Sequence, residues 1–198
     1  MPHKVISPDP DLEMLRTVAR LFRDRGFEGT SLSLIMEETG LSKASLYHRF
    51  PGGKQEMALE VLEQTATVFS QHLLAPLSEE GDPRRRLKRT TGRLREFYES
   101  GWRPCLMETM TLSFDLDSEI HAAVRACLRY WLETFAEFAG ETMPTRTEAL
   151  RAAEQAVSMI EGSLILSRGI GSTQPFSHAL RELASILIAP SNRDRSAE

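Results

Sequence analysis

The sequence predicts an all-α protein of about nine helices, and three observations carry that prediction. Apolar residues recur at helical spacing in nearly every segment, and no alternating, strand-like run persists. Asp, Ser or Thr stands where the helical patterns begin, and glycine where many of them end. Proline and glycine clusters separate the segments.

The bulk numbers fit that class. The chain has 198 residues, 41% hydrophobic and 26% charged, enough for one or two domains with a proper core. No apolar run approaches the ~18 residues that span a bilayer, and the start, Met1-Pro2-His3-Lys4-Val5, lacks the apolar stretch of a signal peptide. A cytoplasmic location is the expectation. Cys105 and Cys127 form no disulfide framework and are expected as buried, inert thiols, with a redox-sensing pair as the minor alternative. The five histidines show no metal-ligand spacing, so no metal and no cofactor is expected.

The elements follow in order. Asp9-Pro10 opens the first helix, because Asp can cap and Pro at the first turn loses no needed hydrogen bond. Leu12, Leu15, Val18, Ala19 and Phe22 form its inward stripe, Gly26 ends it and Phe27 packs back. Ser31 caps a second helix with Leu32, Ile35 and Met36 inward; Gly40 makes a tight turn and Ser42 caps a short third helix with Leu46 and Phe50 inward. After Pro51-Gly52-Gly53, a connector helix runs over 54–74. A loop over 76–81 precedes a helix opened by Asp82-Pro83 and running to 100. Shorter and longer helices follow over 105–114 and 118–140. Thr145 with Glu148 three residues on reads as a capping box, opening a helix to 168 that Gly169 closes; Pro175 starts the last helix, which ends before Pro190. The polar tail 191–198 is expected to be disordered.

Two short helices joined by a glycine turn, the second presenting small polar, basic and aromatic side chains outward, have the layout of a helix-turn-helix that enters the DNA major groove. The first sixty residues hold 8 Lys/Arg and 9 Asp/Glu, and the whole chain carries −4, which argues against promiscuous coating of nucleic acid. Yet no acid stands between Thr39 and Lys54, while Lys43, Arg49 and Lys54 are basic, a local positive patch that a dimer would double.

The run Gly-Leu-Ser-Lys-Ala-Ser-Leu-Tyr-His-Arg-Phe over 40–50, with Phe22, Gly26-Phe27, Ser31-Leu32-Ser33-Leu34-Ile35 and the downstream Lys54, closely resembles the signature of the tetracycline-repressor (TetR) family of bacterial transcriptional regulators. The resemblance is specific over about residues 10–60. Met36 stands where the family usually has a small residue, and the Pro-Gly-Gly loop looks one residue longer than the commonest form, a variant that a subset of the family shares. The expected domains are 1–53 for DNA binding and 54–198 for ligand binding and dimerisation. Ser42 and Lys43 open the recognition helix, where the dipole and free N–H groups favour phosphate or base acceptors. Ala44 and Ser45 let it sit deep, and Lys43 can reach a guanine edge or a phosphate. The resemblance implies Tyr47 on backbone phosphate and His48 on phosphate or base. Lys54 is expected to hold a phosphate, with Thr30 or Ser31 doing the same from the second helix.

The resemblance also implies a homodimer formed by the last two helices, for which Leu150, Val157, Ile160, Leu164, Leu180, Leu183 and Leu187 supply apolar surface. It implies a pocket in the middle helices, with Phe97, Trp102, Leu106, Met107, Met110, Phe114, Trp131 and Phe135 as candidate walls, although an aromatic stripe at helical spacing is also what a plain core looks like. From Arg84 to Arg95 stand 7 basic residues and no acid, read first as a solvated helix face and second as a site for an anion. The expected function is a dimeric transcriptional regulator, a repressor released from a palindromic operator by a small, moderately hydrophobic ligand. The alternative is a ligand-independent, architectural DNA binder. With no nucleophile–base pair, no phosphate-cradling loop and no metal spacing, an enzyme is not expected.

Overall fold

The computed structural model describes residues 10–111 and 118–190. Among them are nine α-helices and no strand. Phe114 and the tail 191–198, both subjects of the expectations above, lie outside the described residues.

Helix α1 (Pro10–Gly29) buries Leu15, Val18, Ala19, Leu21 and Phe22. Gly26 interrupts its regular geometry with φ 69 and ψ 174, as the sequence suggested, but helical turns resume beyond it. The bend brings the Phe27 ring to 5.8 Å from that of Phe22. Helix α2 (Leu32–Thr39) is capped by Ser31, whose hydroxyl accepts from Leu34 N–H, and ends at Gly40 in the left-handed conformation. Helix α3 (Lys43–Arg49) starts at Ser42, whose hydroxyl accepts from Ser45 N–H at 3.1 Å. Leu46 and Phe50 are fully buried and fix α3 onto the core.

Helix α4 (Gly53–Val68) passes into a π turn over Phe69–Leu73 and a 3₁₀ turn over Ala75–Ser78. The chain is helical to Leu73, close to the expected connector helix over 54–74, while the expected loop from 76 is corrected in its first residues, which form the 3₁₀ turn. The wider turn places Phe69, Leu73 and Leu74 all in the core, and Pro76 and Leu77 follow them inward. Helix α5 (Pro83–Phe97) is capped by Asp82 and stops before residue 100, because Glu99, Ser100 and Gly101 all adopt positive φ and turn the chain over.

Helices α6 (Leu106–Met110), α7 (Glu119–Gly140), α8 (Arg146–Ile170) and α9 (Gln174–Leu187) complete the described chain. Thr145 caps α8 as expected: its hydroxyl accepts from Glu148 N–H at 3.2 Å and lies 2.8 Å from the Glu148 carboxylate. The helix ends at Gly171, not Gly169, since Gly171 is the residue with left-handed backbone (φ 67) and Ser172 N–H closes onto Ser167 C=O.

Helices α7, α8 and α9 pack on one another, and α1 packs on α4 and α6 as well as on α2. The helix-turn-helix thus shares a core with the rest of the chain. At the centre of the larger part, Phe69 stacks on Trp131 with centroids 4.2 Å apart, Phe97 meets Phe69 edge-on, and Tyr98 meets Phe176 edge-on.

Candidate nucleic-acid interface

Three elements position α3. The Ser31 and Ser42 caps set where α2 and α3 begin, and Gly40 sets the turn between them. Leu46 and Phe50 anchor the buried side, and that leaves Ser42, Lys43, Ala44, Ser45, Tyr47 and His48 exposed together. The hydroxyls of Ser42 and Ser45 lie 2.8 Å apart, so the first turn presents a linked pair of small polar groups beside Lys43. The pair suits base edges and phosphates because each hydroxyl both donates and accepts. Tyr47 packs its ring beside Gly53, where a side chain would begin 3.7 Å from Cε1, and still exposes 40% of its surface.

Arg49 points elsewhere. Its guanidinium donates to Glu60 at 2.6 Å, approaches Asp11 at 3.5 Å and lies over the Phe50 ring. The hydrogen bond to Glu60 holds its charge more firmly than usual. Arg49 ties the recognition helix to α4 and α1 and drops out of the expected positive patch. Thr30 is corrected too. It is fully buried, and its hydroxyl donates to Gly26 C=O at 2.8 Å, filling the bend of α1. Ser31 stays exposed at the start of α2.

Lys54 departs from expectation in another way. Its ammonium donates to Phe27 C=O at 2.9 Å and sits 4.2 Å from the Phe27 ring centroid, partly buried. It fastens the end of α1 to the start of α4. Among the described residues, the basic side chain left on the exposed face of α3 is Lys43, and His48 lies near the helix C-terminus.

Residues 15–61 match the family described as bacterial regulatory proteins, tetR family, a stretch that runs from the core of α1 through α3 into α4. Residues 15–61 are thus similar to the helix-turn-helix of tetR-family proteins, and the chain is similar along most of its length to HTH-type transcriptional regulators, which supports a DNA-binding transcriptional regulator. It is 38% identical over 71 residues to the uncharacterized HTH-type transcriptional regulator YxaF of Bacillus subtilis, a match over 36% of this chain and 37% of that protein. Over 172 residues it is 27% identical to the HTH-type transcriptional regulator LmrA of Bacillus subtilis, which covers 84% of this chain and 90% of that one. A TetR transcriptional regulator from Legionella pneumophila shares the fold, with a TM-score of 0.82 at 16% identity over 92% of this chain and 100% of that one.

The remaining candidate sites need revision. Leu106, Met107, Met110, Trp131 and Phe135 are buried. They sit in the interior of the larger part, where Phe69 covers the Trp131 face. Phe97 and Trp102 instead border a cleft of about 780 Å³ between α1, α4 with its π turn, and the turn after α5. Sequence reasoning missed the arginines of that cleft, since Arg16, Arg20 and Arg23 share one helix but Arg103, which meets them, is far along the chain. The expected dimer residues Val157, Ile160, Leu164, Leu180, Leu183 and Leu187 are buried within one protomer, and Leu150 is half-buried. Packing among α7, α8 and α9 consumes those stripes. The exposed large apolar side chains of α8 are Ile165, Leu166 and Ile170.

The basic run on α5 divides. Arg86 is buried, donates to Leu77 and Glu79 C=O and pairs with Glu141. Arg89 pairs with Glu79, and Arg93 donates to His72 C=O. Arg84, Arg85, Lys88 and Arg95 form the solvated face. Both cysteines are buried and free, and burial pushes the Cys105 thiol well above its ordinary pKa, which makes it a poor nucleophile. Among the described residues no helix is long and apolar enough to cross a membrane, and no group of three or more His, Cys, Asp or Glu is placed to hold a metal.

Proposed function

We propose that the protein acts as a homodimeric repressor on a palindromic operator, that residues 1–53 read the DNA, and that residues 54–198 dimerise and bind a small, moderately hydrophobic effector. The observation that carries this reading is the exposed face of α3. Six consecutive or near-consecutive polar, small and aromatic side chains stand clear of a helix whose other side is locked by Leu46 and Phe50. Ser42, Lys43 and Ser45 approach base edges and phosphates, Ala44 allows close approach to a thymine methyl, and Tyr47 and His48 meet backbone phosphates further along.

One short helix makes few base contacts, so affinity calls for a second copy whose recognition helix meets the next major groove ~34–36 Å away. The surface of α8 supports that partner. Ile165, Leu166 and Ile170 are exposed, and side chains added at Gly162 or Gly169 would meet open space, so a second backbone can come close. Effector binding would shift the population toward a state in which the two recognition helices no longer match successive grooves.

Selection from random duplex DNA, followed by sedimentation of the protein alone, tests the proposal. The expected results are a palindromic motif with half-sites about one turn apart and a dimer that Leu166→Glu converts to monomer with loss of operator binding. A single unrepeated half-site, or a monomer that binds as tightly as wild type, defeats it. Operator-reporter expression with and without the gene separates repression from activation.

A further inference from the structure

We propose that effector binding is not confined to residues 54–198: the effector site is the cleft between α1, α4 and the turn after α5, and its ligand is an organic anion, a carboxylate carried on a flat apolar body. The regulatory consequence rests on the ligand-responsive reading above; the binding itself rests on the geometry.

The first observation is a pair of guanidinium groups that share one aromatic ring. Arg23 on α1 and Arg103 after α5 lie over the same Phe97 ring, 5.7 and 5.3 Å from its centroid. Two like charges converging on one ring repel each other, and each is partly desolvated. Burial first, and Arg103 second, lower the pKa of Arg23. Arg103 pairs with Glu99, but among the described residues Arg23 has no carboxylate partner, and its buried Nε–H finds no acceptor. A buried unpaired guanidinium N–H is costly, and a carboxylate is the acceptor whose geometry matches it. The charged side chains lining the cleft are Arg16, Arg20, Arg23, Arg103, Asp24 and Glu99, a surplus of two positive charges, with His72 besides.

The second observation concerns the turn that carries Arg103. Glu99 and Ser100 hold φ of 50 and 59 without being glycine, and Gly101 has φ 108. Strained backbone of this kind persists only where surrounding contacts demand it, and it clusters at ligand sites. Here it lifts Trp102 out of the core to 48% exposure at the edge of the cleft, beside half-buried Phe97. An exposed indole, a phenyl ring and the aliphatic wall of Leu12, Val61 and Val68 offer a slot for a flat apolar body. The volume of about 780 Å³ suits a small organic ligand.

The location couples the site to DNA. The cleft is walled by α1, which belongs to the helix-turn-helix, and by α4, whose Glu60 holds Arg49 of the recognition helix. A ligand drawing Arg23 toward Arg103 pulls α1 against the turn after α5 and moves the base on which α3 is mounted.

Calorimetric titration of the full chain with 1-naphthoate and decanoate, and with their neutral alcohols 1-naphthalenemethanol and decanol, tests the assignment. At least one anion is expected to bind saturably at one per chain, with its alcohol ~10-fold or more weaker. Arg103→Gln should weaken the anion by ~10-fold while leaving the alcohol unchanged, and Trp102→Ala should weaken both. Because Trp131 is buried, quenching of the exposed Trp102 reports the same event by fluorescence. Absence of saturable binding by either anion overturns the proposal, as does equal binding of anion and alcohol, or an Arg103→Gln protein with wild-type affinity and an unchanged melting temperature. Operator binding is measured in parallel. An anion that binds while no duplex is ever selected defeats the operator reading alone; operator binding with no anion bound defeats the cleft alone.

Discussion

The helix-turn-helix and the larger helical part handle polar groups in opposite ways. In the first, the hydroxyls that set its caps and turns are satisfied close by in the chain: Ser31 by Leu34, Ser42 by Ser45, Thr39 by Ile35 and Thr30 by Gly26. In the second, partners come from afar: Arg86 pairs with Glu141, and Arg168 donates to both oxygens of Glu108 at 2.9 Å. The larger part also buries a carboxyl outright. Both oxygens of Glu161 are shut off from water, and the groups around them are the Cys105 thiol, Glu108 and Arg168. The difference teaches that the DNA-reading unit is specified locally and can stay rigid, whereas the larger part holds groups whose energies depend on how its helices are seated. The second kind is what a responsive domain needs.

Five changes test that contrast. The largest effect is expected at Gly101. A Cβ there would lie 2.9 Å from that of Phe176 and 3.1 Å from that of Ser167, on a backbone with φ 108. Gly101→Ala should cost about 4 kcal/mol in strain and overpacking, read by chemical denaturation. A loss under about 1 kcal/mol would mean that α8 and α9 seat loosely on this turn.

Next comes Glu161. Burial raises its pKa to about 7, so the folded state binds a proton more tightly than the unfolded chain. Its penalty is absent below the ordinary carboxylate range, grows as pH rises toward 7 and is complete above it. Glu161→Gln should therefore leave stability nearly unchanged at pH 5 and raise it by about 3 kcal/mol at pH 8. Equal effects at both pH values would place the carboxyl in contact with water.

Lys54→Ala removes a charged hydrogen bond and a ring contact, and should cost about 1.5 kcal/mol of stability while leaving the salt dependence of operator binding unaltered. A slope reduced by ~1 per half-site would return Lys54 to the phosphate contacts. Lys43→Ala should do the reverse, with that slope change and no loss of stability. The smallest effect belongs to Ser42→Ala, about 1 kcal/mol for the lost cap, measured as a lowered unfolding midpoint. A change within error would show that α3 is held by Leu46 and Phe50 alone.

The uneven legibility of the sequence has the same origin. Caps at Ser31, Ser42, Asp82 and Thr145, and the glycines at 26 and 40, act within a few residues, so they can be read in order along the chain. Leu46 and Phe50 were legible as core for the same reason. The fate of a long-range group was not. Periodicity marks Ile160, Leu164 and Leu183 as apolar faces but does not say whether the neighbour is α7 or a second protomer. Trp131 and Trp102 look alike in sequence, and only packing buries one beneath Phe69 and leaves the other exposed. Likewise Lys54 reads as a basic residue at a helix start, and nothing local reveals the Phe27 carbonyl waiting for it.

By itself the sequence determined the helical class, the start of most helices and which face of α3 is exposed, because hydrogen-bond caps, turn glycines and amphipathic spacing are short-range forces written into neighbouring residues. Only the tertiary structure decided which apolar faces became core, which cations stayed available, and that Arg23 and Arg103, eighty residues apart, meet over one ring. Burial and Coulomb energy depend on distance in space, and the chain order does not carry that distance.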